Sequence, residues 1–98
     1  MEIVWDPKKA AANIKNHDGV TFEEAERVLF DPFALTREDN DAEDEQRFVS
    51  LGMGGKGRIL VVVYTYREET IRLISAWKAN EPQRRRYEAQ FWQDVREI

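Results

Sequence analysis

The run Arg58-Ile59-Leu60-Val61-Val62-Val63-Tyr64-Thr65-Tyr66 decides the fold. Its unbroken apolar stretch from Ile59 to Val63 is rich in β-branched side chains and too short for a buried helix, which predicts a central strand covered on both faces. Gly54-Gly55-Lys56-Gly57 precedes it and reads as a turn. Before that turn, Gln46 to Met53 alternates loosely, with Phe48, Val49 and Leu51 apolar. After the central run, Arg67-Glu68-Glu69 turns the chain into a further strand from Thr70 to Ala76. Connections this short make hairpins, so the three strands are expected to form an antiparallel meander.

Helices flank the meander. Glu2 to Trp5 reads as a short opening strand stopped at Asp6-Pro7. Asp6 suits an N-cap and Pro7 the first helical position, predicting a helix from Pro7 to about Asn16 that ends at Asp18-Gly19. Thr21-Phe22-Glu23-Glu24 matches a capping box, and Phe22, Ala25, Val28 and Leu29 give a second helix its apolar stripe up to Asp31-Pro32. Ala34 to Asp44 is polar and acidic and is expected to be an exposed loop. Asn80 caps a last helix running to about Arg96, with Tyr87, Phe91 and Val95 on one stripe. The order βααβββα is α+β, helices packed on an antiparallel sheet.

The 98 residues carry 15 basic and 19 acidic side chains and suit one domain, residues 1–98. No apolar run reaches the ~18 residues of a membrane span, and Glu2 and Asp6 occupy the place of a signal peptide's basic region. A cytoplasmic protein with no membrane contact is expected. The absence of cysteine excludes disulfides, thiolate zinc sites and cysteine catalysis, and one histidine excludes a multi-His metal site. No metal and no cofactor is expected. Charge is divided along the chain: residues 1–46 hold 5 basic and 13 acidic side chains, whereas residues 47–87 hold 9 basic and 3 acidic. The basic half points to a polyanion such as RNA, or to pairing of the two halves across the fold.

Chemistry narrows the candidates. The glycine-rich turn lacks the spacing of a phosphate-binding loop and lies between strands, so it is expected to be a mobile hairpin tip. His17, at a helix end, is either a packed side chain or a general base. The carboxylates from Glu38 to Glu45 read as a solvated loop. Cleavage of RNA at a 2′-hydroxyl needs a proton acceptor, charge to stabilise a pentavalent phosphorane, and an acid for the leaving oxygen. Arginine serves the second need, because its planar fork grips phosphate and stays charged. Arg47, Arg58 and Arg72 are therefore the candidate catalytic cations, with Tyr64 for proton transfer or stacking. Tyr64 is expected on one sheet face with Tyr66 and Val62. Lys8, Lys78 and Trp77 are candidate substrate contacts. The competing role for the strand arginines is to protect sheet edges or to pair with Glu45, Glu68 and Glu69.

A set of short motifs occurs in order: Trp5-Asp6-Pro7-Lys8, Asn13, His17, Gly19-Val20-Thr21-Phe22-Glu23-Glu24-Ala25, Phe30-Asp31-Pro32, Glu45-x-Arg47, Gly52, Val63-Tyr64-Thr65, Ile71 to Ala76, Lys78-Ala79 and Tyr87. Over about residues 3–87 the chain resembles the BrnT toxins, the DUF497 family. The resemblance implies a RelE-like fold and the toxin of a type II toxin–antitoxin system, a metal-independent endoribonuclease (mRNA interferase) that is a hydrolase of RNA. It implies an antitoxin of the BrnA type that meets DNA on the complex's behalf, so that this chain touches DNA only indirectly. A homodimer and a toxin–antitoxin hetero-oligomer both fit. The family usually reads Ile-Ser-Ala-Arg-x-Ala where this chain has Ile74-Ser75-Ala76-Trp77-Lys78-Ala79, replacing a cation with an indole. The alternative function is a toxin-like binding protein that acts through its antitoxin complex in operon autoregulation.

Overall fold

The structure, a computed structural model, describes residues 1–41, 43 and 45–96, with side chains described as far as Trp92. The elements are β1 (Glu2–Val4), α1 (Pro7–Asn16), α2 (Phe22–Glu26) continued by a 3-10 turn (Arg27–Phe30), β2 (Leu35–Asp39), β3 (Arg47–Met53), β4 (Ile59–Arg67), β5 (Thr70–Lys78) and α3 (Glu81–Arg96). The α+β architecture follows the sequence reading, with two corrections to the sheet. The expected antiparallel meander is β3-β4-β5, but the sheet has five strands in the order β1-β5-β4-β3-β2 and β1 lies parallel to β5, so the whole is mixed. The extra strand, β2, falls within the stretch expected to be a loop. Its residues are polar because it is an exposed edge, where charged side chains discourage further pairing.

The local signals act as physical chemistry dictates. Asp6 caps α1 by accepting the Lys8 N–H at 2.8 Å, and Pro7 occupies the first turn. Thr21 and Glu24 form the reciprocal capping box of α2. Pro32 pushes Asp31 into extended backbone, so the helix beginning at Phe22 tightens to 3-10 geometry and stops. The glycine-rich turn is anchored, not free: Gly55 donates its N–H to the Glu24 carbonyl at 2.9 Å. A Cβ on Gly54 would stand 2.6 Å from Leu60 and 3.2 Å from that same carbonyl, so the turn approaches α2 as closely as glycine allows. Val95 lies outside the residues whose side chains are described.

The central strand, β4, is buried on both faces as its sequence predicts. Leu60, Val62 and Tyr64 pack with Val20, Phe22, Ala25, Val28, Ile71, Leu73 and Ala76 beneath α1 and α2. Ile59 and Val61, on the other face, pack with Leu51 and with Tyr87 of α3. Strand alternation would carry Ala76, Ile74 and Arg72 to a single face. A bulge intervenes: Val63 pairs with Ser75 but Tyr64 pairs with Leu73, leaving Ile74 as the extra residue. Beyond the bulge the faces exchange. Ile71 and Leu73 turn into the core and Arg72 turns to the other face.

The half of β5 beyond β1 has no strand beside it, and one side chain takes that place. Buried Asn13 donates to the Ala76 carbonyl at 2.8 Å, accepts the Ala76 N–H at 3.0 Å, and donates to the Val20 carbonyl at 3.0 Å. Its amide completes the ladder that a sixth strand segment would otherwise supply. Asn13→Ala strands these backbone groups and is expected to cost about 2–4 kcal/mol, measured by urea denaturation; a loss under ~0.5 kcal/mol counts against the role.

Candidate nucleic-acid interface on the open sheet face

Two helical segments cover most of one face of the sheet, leaving Tyr66 at its margin exposed. On the opposite face α3 covers only the end bearing Leu51, Ile59 and Val61. Its position is fixed by Asp31. That carboxylate accepts the Tyr87 hydroxyl at 2.5 Å, the Met53 N–H at 2.9 Å and the Phe33 N–H at 2.9 Å. Phe91 adds an edge-on contact with Phe33, centroids 5.0 Å apart. Burial, the largest influence on Asp31, pushes its carboxyl upward, but these three hydrogen bonds outweigh it and hold the group below the usual carboxylate range. Burial and then the bond to Asp31 push the Tyr87 phenol up to about 12.

The remainder of that face stays open. One row of it crosses four strands: Asp39 on β2 opposes Arg47 on β3, Thr65 on β4 continues the register, and Arg72 on β5 opposes Thr65. At a strand spacing of ~4.8 Å, the Arg47 and Arg72 backbones lie about 10 Å apart. The Nε atoms of both arginines are buried and without a hydrogen-bond partner, and neither guanidinium forms an ion pair among the described residues. Such groups are costly to leave unmatched in a finished core and are suited to an incoming anion. Next to the row lies a groove of ≈ 330 Å³ floored by Val49, Leu51, Val61 and Val63, walled by Leu35 and Trp77, and rimmed by Arg37, Asp39, Gln83 and Arg86. The His17 ring lies beside Trp77, centroids 5.8 Å apart.

The structure therefore gathers Arg47, Arg72 and Trp77 of the sequence-derived candidates on one face. It separates the others from them. Tyr64 does share a face with Val62 and Tyr66, but alternation sends that face to the helix-covered core, where the Tyr64 hydroxyl bonds Ser50 at 2.8 Å. Arg58 forks onto buried Glu24, with Nε–Oε1 at 2.7 Å and Nη2–Oε2 at 2.8 Å. That fork, ahead of burial, sets the balance on both groups: the Glu24 carboxyl is held below its ordinary range and the Arg58 guanidinium is held more firmly charged. Lys78 lines a separate concavity with Arg58 and Arg84. Lys8 is exposed in the first turn of α1, the helix that packs on the covered face. Arg37, Asp39, Gln83 and Arg86 were not legible as site residues. The apolar–polar step at Leu35-Thr36-Arg37 was the one signal for β2, and the acidic run after it masked that signal.

The sequence model for the ribonuclease toxin BrnT of type II toxin–antitoxin systems matches residues 5–82. The chain belongs to the BrnT family. The crystal structure of the Brucella abortus ribonuclease toxin BrnT aligns with it at a TM-score of 0.62 and 24% identity, covering 83% of this chain and 99% of that one, a likeness of fold. No curated protein sequence matches the chain. As a type II toxin of the BrnT family, the chain has an antitoxin as its partner. Among the described residues no helix is long and apolar enough to cross a membrane, and no group of three or more metal-ligating side chains occurs.

The Asp31–Tyr87 pair makes stability depend on pH at both ends. Asp31, depressed in the fold, contributes above the ordinary carboxylate pKa of ~4 and loses that contribution as pH falls through its folded value. Tyr87, raised to about 12, contributes below the ordinary phenol value of ~10 and loses it as pH climbs between the two. Thermal melts across pH should show both limbs, and Tyr87→Phe should flatten the alkaline one. An unchanged alkaline limb in that variant would place the titration elsewhere.

Proposed function

We propose that this chain is a metal-independent endoribonuclease whose phosphate site is the pair Arg47 and Arg72, spaced by buried Thr65. The observation that carries this reading is the pair of buried, unpartnered Nε atoms on two arginines held at one level of the open face. Two guanidinium groups, carried on backbones about 10 Å apart across the sheet, grip a scissile phosphate and its neighbour in a single strand. As the 2′-oxygen attacks and the P–O5′ bond breaks, negative charge grows on the equatorial phosphate oxygens, and fixed guanidinium groups stabilise that charge without reorganising. The departing 5′-oxygen takes its proton from water, leaving a 2′,3′-cyclic phosphate. Asp39, beside Arg47 in register, is the carboxylate placed to accept the 2′-hydroxyl proton. Arg58 and Tyr64 act through the scaffold: the first locks the β4 turn to α2, the second ties β4 to β3 through Ser50. Lys8 and Lys78 lie away from this row and take no part in it.

The inhibitor in this reading is an antitoxin of the BrnA type, whose acidic amphipathic segment covers the same cations and seats its apolar side on the exposed aromatic residues near α3. Phe33, Phe91 and Trp92 are each at least 39% exposed, and they supply the apolar area that makes such an interface resistant to salt. The pair co-purified from one operon should survive ~0.3 M NaCl, where surface charge alone is screened beyond a few ångströms. Dissociation at that salt would contradict an apolar contribution.

Arg72→Ala should lower RNA cleavage roughly tenfold to a thousandfold, by analogy with loss of one preorganised donor to a developing oxyanion, while the melting temperature hardly moves. Arg47→Ala should do the same. Asp39→Asn should lower the rate without weakening binding of an RNA carrying 2′-O-methyl groups. Equal cleavage by wild type and Arg72→Ala at equal stability would leave the non-catalytic binding role in its place.

A further inference from the structure

The open-face groove adjoins the arginine row but differs from it in chemistry. Its floor is four aliphatic side chains, Val49, Leu51, Val61 and Val63, all on the face that carries Arg47 and Arg72. Its wall is an indole. Trp77 opposes Val61 in the sheet, and Arg72 opposes Thr65. The two positions are thus separated by four residues along β4, about 13 Å at the rise of a strand. Cations stand at the rim, with Arg37 on β2 and Arg86 on α3. Gln83 lends its Oε1 to the Asn80 N–H at 2.9 Å, so its amide NH2 is left as a donor where it lines the groove. Asp39, at the other side of the rim, is an acceptor.

A flat aromatic ligand with polar edges and a phosphate on each side matches this arrangement term by term. An aliphatic floor and an indole wall favour a π-face, the rim offers both donors and an acceptor for ring edges, and arginines surround the opening. We propose that the groove takes one unpaired nucleobase of single-stranded RNA, stacked on Trp77, while the adjoining backbone runs onto Arg47 and Arg72. This rests on the ribonuclease reading and gives it a substrate class: single-stranded RNA, engaged by a base as well as by its phosphates. Paired bases are excluded, because a base within a duplex has both faces stacked and its Watson–Crick edge occupied. The His17 ring, packed beside the indole at a tilt of 41°, acts as a positioning residue for Trp77.

The test uses full-length protein and 2′-O-methyl RNA oligonucleotides, which bind without being cut, read by fluorescence anisotropy at several salt concentrations. Trp77→Ala should weaken single-strand binding about 5- to 150-fold, the range for losing one stacked base, and Trp77→Phe should recover most of it. Trp77→Arg should bind with a steeper salt dependence, the slope growing by roughly 0.7 for one added phosphate contact, and should discriminate less between homopolymers. A blunt duplex of the same length should bind wild type and Trp77→Ala alike. Melting curves of each variant exclude a folding defect, and Trp77→Phe carries the comparison if the alanine variant melts early. If Trp77→Ala binds single strands as wild type does while Arg72→Ala still abolishes cleavage, the base subsite is wrong and the ribonuclease reading stands. If no RNA binds and Arg72→Ala changes nothing, the ribonuclease reading itself fails. If Trp77→Ala weakens only antitoxin binding, the groove is a protein interface and the proposal is overturned.

Discussion

Asp31 decides how much of the sheet is available for function. Its one carboxylate ties the turn after α2, the end of β3 and the middle of α3 together through Phe33, Met53 and Tyr87. Gly52 makes this possible, because a Cβ there would stand 3.0 Å from the carboxylate and 3.1 Å from both Ala34 and Val28. Held in this way, α3 packs against Leu51, Ile59 and Val61 and leaves the half-buried Arg47 and Arg72 beside it. A more central position for α3 would bury the arginine row; a detached α3 would expose the apolar floor. The open part of the face exists because one half-buried anion sets the helix at the margin of the sheet.

The asymmetric charge of the chain is partly consumed by the fold. Glu24 takes Arg58 and draws Lys56 to 3.9 Å, and Glu45 meets Arg67 at 3.5 Å, so acids of the first half do neutralise bases of the second. Arg85 pairs within α3 to Glu81. Among the described residues, Arg47 and Arg72 stand outside this exchange, although both are half-buried. Ion pairs thus fasten the turn and the β3–β4 margin, while Arg47 and Arg72 share the open face without one. Position in the sheet, not residue type, separates the paired arginines from the unpaired ones.

Membership of the BrnT family supplies the reaction class and the antitoxin partnership; this chain's own residues shape how it meets its substrate. In the proposed reading the row of arginines provides charge stabilisation that needs no sequence information from the RNA, and the proposed base subsite beside it adds a neutral, flat-faced contact through Trp77. Together they divide labour as nucleic-acid proteins commonly do, with phosphate contacts positioning and base contacts selecting.

Much of the fold was written locally. The apolar density of Ile59 to Val63 fixed β4 as the doubly buried strand, Asp6-Pro7 and Thr21-x-x-Glu24 fixed two helix starts, and Asp31-Pro32 fixed a stop, because each depends on neighbours within a few residues. Arg47 and Arg72 were legible as candidates from charge and strand position alone. Non-local contacts decided the rest. The parallel pairing of β1 with β5 depends on residues nearly 70 positions apart, and β2 is a strand only because the edge of β3 was free to pair with it. The bulge at Ile74 turned Arg72 outward to join Arg47, and no single-strand periodicity contains that exchange of faces. Alternation likewise placed Tyr64 in the core once the helices had chosen which face to cover. Sequence supplied the residues with the right chemistry; the packing of α3 and one extra residue in β5 determined which of them share a surface.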